Sequence, residues 1–71
     1  MGIPTHKDVG IWVTIYQSAT VTVKHGTTYY EGHDMDFYKV TGSKTRYFYG
    51  ESAHMDSARY ASDMDSMAGG W

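Results

Sequence analysis

From Val9 the chain alternates between apolar and polar positions. Ile11, Val13 and Ile15 fall on one side of an extended strand, and Trp12, Thr14 and Tyr16 fall on the other. β-Branched and aromatic residues dominate this run, the composition that suits a pleated, half-buried surface. Thr20 to Lys24 repeats the pattern with Val21 and Val23. For the valines to join the isoleucine side, Gln17 must oppose Val21, which leaves Ser18-Ala19-Thr20 as the loop. His25-Gly26 then reads as a strand end. Thr27 to Glu31 reads as a shorter strand, closed by Gly32-His33-Asp34.

Met35 to Val40 and Thr45 to Tyr49 predict a hairpin. Gly42-Ser43 suits a two-residue type II′ turn, because glycine supplies the positive φ at the first central position. That turn sets Val40 opposite Thr45, Tyr38 opposite Tyr47 and Asp36 opposite Tyr49. One face then carries Asp36, Tyr38, Val40, Thr45, Tyr47 and Tyr49, and the other carries Met35, Phe37, Lys39, Arg46 and Phe48. Lys39 and Arg46 come out opposite each other, an arrangement that water tolerates and a core does not, which favours the tyrosines inward. Both faces are aromatic, and one helix covers only one face of a sheet. An aromatic patch is therefore expected to stay open unless the N-terminal strands or a second subunit cover it.

The period changes to 3.6 after Gly50. Ala53, Tyr60, Ala61, Met64, Met67 and Ala68 share one helical stripe, while Asp56, Arg59, Ser62, Asp63 and Ser66 fall opposite. Ser52 is the expected N-cap, Glu51 places negative charge near the positive end of the dipole, and Gly69-Gly70 supplies the stop. An alanine-rich inner face lets such a helix approach a sheet closely. The expected fold is α+β: an antiparallel sheet of four to five short strands followed by one C-terminal helix packed on one face. A single domain spans the chain, with residues 1–8 irregular, 9–49 in strands, 52–68 helical and 69–71 a tail.

Composition narrows the function classes. A chain of 71 residues without cysteine is near the lower size limit for an unaided core, and it has no disulfides, thiolate chemistry or zinc knuckle. The apolar runs are too short to span a bilayer, and MGIPTHKD has no signal-peptide core, so a soluble, cytoplasmic protein is expected, with no membrane partner. The net charge of −2 is unevenly spread. Residues 38–49 hold Lys39, Lys44 and Arg46 with no acid, whereas Glu51, Asp56, Asp63 and Asp65 follow against Arg59 alone.

Catalytic signals are weak. His6, His25, His33 and His54 lie near acids, but no pair has the spacing of a helical zinc site, so neither a metal nor a cofactor is expected. No serine sits in a G-x-S-x-G elbow, and Gly50-Glu51-Ser52 puts an acid where a phosphate loop would receive an anion. The chain reads as a non-enzyme. Lys39, Lys44, Arg46 and Phe48 interleave cations with stacking rings, the pattern of a single-strand nucleic-acid surface, and this is the alternative function. The negative net charge opposes it.

Protein binding fits the composition better, since seven tyrosines and two tryptophans exceed what so small a core uses. The expected contact residues are Tyr38, Tyr47 and Tyr49 on the hairpin and Asp56, Asp63 and Asp65 on the helix. A homodimer burying the open aromatic face is a third reading. The run Tyr47-Phe48-Tyr49-Gly50-Glu51-Ser52-Ala53 and the acidic helix through Met67 resemble the small proteins of phages and mobile elements, of which anti-CRISPR and other host-takeover inhibitors are examples. The resemblance covers about a third of the chain and is one of size and style. It implies a stoichiometric inhibitor whose partner is a host protein or protein–nucleic acid complex in the host cytoplasm.

Overall fold

The computed structural model describes residues 3–68. A four-stranded antiparallel meander, β1 (Val13–Gln17), β2 (Thr22–Tyr30), β3 (His33–Thr41) and β4 (Thr45–Tyr49), is followed by α1 (Ala53–Ala68). The fold is α+β, with the single helix on one face of the sheet. The expected stop at Gly69-Gly70 lies outside the described residues.

The helix packs over β2, β3 and β4. Beneath it Val21, Val23, Val40 and Ala61 form a buried cluster, with Phe48, Tyr60 and Met64 against it. Each valine so buried contributes roughly 1.5–3 kcal/mol. Among the helix residues whose burial is described, Ala53, Ser57 and Ala61 are the buried ones, so small side chains do let it sit close. Ser57 was absent from the expected apolar stripe. Its hydroxyl is satisfied by the carbonyl of His54, 3.0 Å away, one turn back. The Ser52 carbonyl accepts the first helical bond from the Asp56 N–H, at 2.9 Å. The Ser52 hydroxyl donates instead to the Asp56 carboxylate, also at 2.9 Å.

The strand registers depart from expectation at three places. First, β2 does not end at His25-Gly26 but runs unbroken to Tyr30, pairing along its whole length with β3. Its turn is Glu31-Gly32 rather than Gly32–Asp34, and both residues have positive φ (49° and 84°), the geometry of a type I′ hairpin turn. Second, the β3–β4 turn holds three residues, and Val40 faces Arg46, Tyr38 faces Phe48 and Lys39 faces Tyr47. This one-residue slip reassigns the β4 faces. Tyr38, Val40, Arg46 and Phe48 lie on the helix side; Phe37, Lys39, Tyr47 and Tyr49 lie on the other. Burial outranks turn preference here, because only this register adds Phe48 to the valine cluster.

Third, β1 holds the expected register at Val13 and Thr14, opposite His25 and Lys24. A bulge at Ile15 then shifts Gln17 to face Thr22. The loop becomes residues 18–21, closed by the Ser18 N–H on the Val21 carbonyl at 2.8 Å. The bulge leaves both Ile15 and Tyr16 against the helix-side groove.

The aromatic face away from the helix is not left open. Residues 3–12, expected to be irregular and then a strand from Val9, cross beneath it. Thr5 and Asp8 cap a single 3-10 turn reciprocally (His6–Asp8), and the chain then passes Gly26. A Cβ at Gly26 would collide with Val9 Cγ1 and lie 2.9 Å from the Ile11 carbonyl oxygen and 3.3 Å from Trp12. Glycine stands there because a backbone crosses it, not because a strand ends. Phe37, 1% exposed, is the centre of this second core, with Val9 also buried.

Candidate functional site

The register dictates where each expected contact residue goes. Tyr38, on the helix side, tilts against His25 (ring centroids 4.8 Å) and meets His54 edge-on at 5.6 Å. Burial, and secondarily the charge of Asp36, hold its phenol above the usual tyrosine range. Asp36 in turn is 2.9 Å from Nε2 of His25. Tyr47, on the opposite side, stacks on His6 at 3.7 Å and lies 6.1 Å from Trp12. Tyr49 is exposed beside Phe37. Two of the three tyrosines are therefore half-buried parts of two different packing layers, and only Tyr49 presents a broad surface.

The cations separate in the same way. Lys39 Nζ lies 5.9 Å from the Trp12 and Tyr47 rings on the N-terminal side. Arg46 lies 5.1 Å from Phe48 and 5.3 Å from Tyr60 on the helix side. The two were expected opposite each other, and the slipped register puts a sheet between them. Lys44 is exposed in the turn. Lys39, Lys44, Arg46 and Phe48 thus form no continuous track for a phosphate backbone, and their rings are already engaged by the protein's own side chains.

Among the helix acids, Asp56 and Asp63 are exposed. They flank Tyr60 at i−4 and i+3, so they share the β4 side of the helix. Asp65 belongs elsewhere. Its carboxylate accepts from Ser18 Oγ at 2.6 Å, from Tyr16 Oη at 2.8 Å and from Thr20 Oγ1. These bonds, led by Ser18 and Thr20, hold the Asp65 carboxyl below its ordinary value, and the bond to Asp65 raises the Tyr16 phenol. Asp65 is a clamp that ties the β1–β2 loop to the last turns of the helix.

The histidines are dispersed: His6 on Tyr47, His25 on Asp36, His33 with Nδ1 at 3.1 Å from the Asp34 carbonyl, His54 facing Tyr38. Among the described residues no three His, Cys, Asp or Glu side chains converge as metal ligands. No described helix is long and apolar enough to cross a membrane.

The surface the sequence reading missed lies along β1. Ile11, Val13, Ile15 and Tyr16 are 77, 57, 50 and 48% exposed, although the alternation puts the aliphatic ones together on one side of a strand. They stand out because β1 is an outer strand beyond the helix's main contacts. Between β1 and α1 runs a groove of about 420 Å³, walled by Ile15, Tyr16, Val23, Ala58 and Ala61, with His54, Ser57, Ser62 and Asp65 adding polar groups to its lining. A signal was present: residues 9–23 contain no Asp, Glu, Lys, Arg or His. Outer strands are usually defended by charge, and this one is not. A smaller hollow of about 270 Å³ lies across the sheet, between Ile3, Pro4, His6, Phe37, Tyr47 and Tyr49. Comparison with protein-family models, with curated proteins and with solved structures finds no match to this chain.

Proposed function

We propose that the chain is a non-catalytic protein-binding module that docks its partner along β1 and the adjoining groove. The observation that carries this reading is the uncharged outer strand and the segment leading into it, where Ile11, Val13, Ile15 and Tyr16 stand about half to three-quarters in solvent beside a mainly apolar trough. An outer strand offers unpaired N–H and C=O groups for main-chain pairing, and a groove next to it offers side-chain selectivity. Burying these side chains supplies the free energy, since apolar area removed from water yields about 25 cal/mol per Å² before association costs.

The resemblance to anti-CRISPR and host-takeover proteins narrows the partner to a host nucleic-acid-handling complex, with the chain as a stoichiometric inhibitor. Support for that narrower form comes from the exposed carboxylates of Asp56 and Asp63, which suit a basic surface on such a machine. Affinity capture from bacterial lysate with the wild-type chain, Ile15→Lys and the double variant Asp56→Asn/Asp63→Asn tests both levels. Docking along β1 predicts a captured protein that Ile15→Lys loses; recovery of the same protein at equal yield refutes it. The inhibitor form further predicts that the double variant weakens capture and makes it less salt-sensitive.

A further inference from the structure

We infer that the occupant of the β1 edge is a second copy of this chain, paired antiparallel about a two-fold axis normal to the sheet. The inference rests on the reading of β1 as the docking edge and names a second copy, in place of the host complex, as what docks there, leaving the exposed Asp56 and Asp63 carboxylates to any host partner. In this arrangement the two meanders join into one continuous eight-stranded sheet. A two-fold axis normal to the sheet keeps both helices on the same face, so each groove opens toward the other copy's β1.

Charge is the first argument. In an isologous contact a patch meets itself, so any charge on it meets its like. The stretch from Val9 to Val23 holds no ionisable side chain apart from Tyr16, and of the ionisable groups lining the groove Asp65 is tied to Tyr16, Ser18 and Thr20 of its own chain while His54 meets Tyr38 edge-on. The opposite outer strand, β4, carries Arg46 and is preceded by Lys44, so pairing it with itself would bring like charges together. One edge accepts its own copy and the other rejects it. That asymmetry closes the assembly at two chains instead of propagating a fibre.

Shape is the second argument. The ridge and the trough are neighbours on the same surface: Ile15 and Tyr16 stand at the rim of the groove backed by Val23, Ala58 and Ala61. A two-fold axis beside β1 brings the two rims side by side, so that the two troughs merge into one channel flanked by both helices and lined by Ile15 and Tyr16 of each copy. The bulge assists, because it turns both Ile15 and Tyr16 toward the helix side. Area is the third. The exposed parts of Ile11, Val13, Ile15 and Tyr16 supply roughly half of the ~800 Å² per partner of a standard interface, and the strand edge and groove walls add to it. The dimer belongs to the weak, concentration-dependent class.

Sedimentation equilibrium across micromolar to millimolar chain, for wild type and Ile15→Lys, tests the inference, with circular dichroism and thermal melts confirming that both fold. The expected result is a wild-type dimer that Ile15→Lys weakens roughly 100-fold, tenfold for each isoleucine no longer buried. Because the chain has no cysteine, a spin label on Thr14→Cys reports only on its own mate, and a short inter-label distance is expected in the dimer. A wild-type chain that stays monomeric overturns the inference, as does a dimer indifferent to Ile15→Lys or one with distant Thr14 labels. If the wild type is monomeric while Ile15→Lys still loses a captured protein, the second copy is refuted and the docking edge stands. If neither property responds to Ile15→Lys, both fall.

Discussion

Gly26→Ala is the sharpest test of how the two layers beneath and above the sheet are held. A glycine in the middle of a nine-residue strand normally weakens it, so alanine is expected to stabilise unless something occupies the space. Here the added Cβ meets Val9 Cγ1 and approaches the Ile11 carbonyl to 2.9 Å. Val9 is buried and the carbonyl is backbone, so neither yields by rotating a flexible tip. The N-terminal segment must lift. Overpacking of this kind costs about 1–3 kcal/mol, and the reduced freedom of the unfolded chain returns about 0.4–1 kcal/mol. The net loss is about 1–2 kcal/mol, which lowers Tm by roughly 5–15 °C in a domain of this size. Urea and thermal melts measure the loss, and the NMR ring-current shifts of His6 and Tyr47, stacked at 3.7 Å, report whether the segment has moved. Gly10→Ala is the control: no atom lies within 4 Å of its added Cβ, so it leaves Tm unchanged or slightly raised. If Gly26→Ala melts at or above wild type with both ring shifts unmoved, the crossing at Gly26 is wrong.

Three further outcomes are expected. Phe37→Ala removes the centre of the second core at about 3–5 kcal/mol, most of the roughly 4–10 kcal/mol available to a chain of this length, so it unfolds in mild urea while Tyr49→Ala does not. Asp65→Asn releases the β1–β2 loop, seen as faster amide exchange at Thr20 and Val21. In wild type the lowered Asp65 pKa makes its contribution present above the unfolded value and lost as pH falls through the folded one, and the raised Tyr16 pKa loses its contribution as pH rises through the folded value. A pH series of Tm therefore shows an acid limb that Asp65→Asn flattens. Lys39→Gln shifts the NMR signals of Trp12 and Tyr47, whereas Arg46→Gln shifts those of Phe48 and Tyr60, each losing a cation–π contact of about 0.5–1 kcal/mol. Crossover between the two sets would contradict the observed β3–β4 register.

Much of the candidate surface was legible only in part. Asp56, Asp63 and Tyr49 are exposed as their residue types suggest. Tyr38 and Tyr47 were read as neighbours on one face, and the sheet separates them, because the loop at Gly42 holds one residue more than the two-residue turn. A Cβ at Gly42 would collide with Met64 Cε and lie 3.0 Å from the Thr20 carbonyl, so that glycine serves packing as well as the turn. Asp65 looked like an outward acid, yet it meets a loop 45 residues and more upstream in sequence. Helical periodicity contains no information about what arrives from that distance. The exposure of β1 was equally hidden, since alternation says that one side of a strand is apolar and not whether anything covers it.

Local chemistry, then, determined the kinds of element in this protein: β-branched and aromatic alternation made an antiparallel sheet, and the alanine-spaced stripe after Gly50 made one closely packed helix. Those preferences act over a few residues and survive in any tertiary setting. Which side chain faces which layer was decided by the assembled fold. A strand's period is two, so one extra residue in a turn or a bulge exchanges its faces, and only the competition to bury Phe48, Val40 and Phe37 selects between the registers. The same competition drew residues 3–12 across the second aromatic face and left β1, uncharged and uncovered, at the edge.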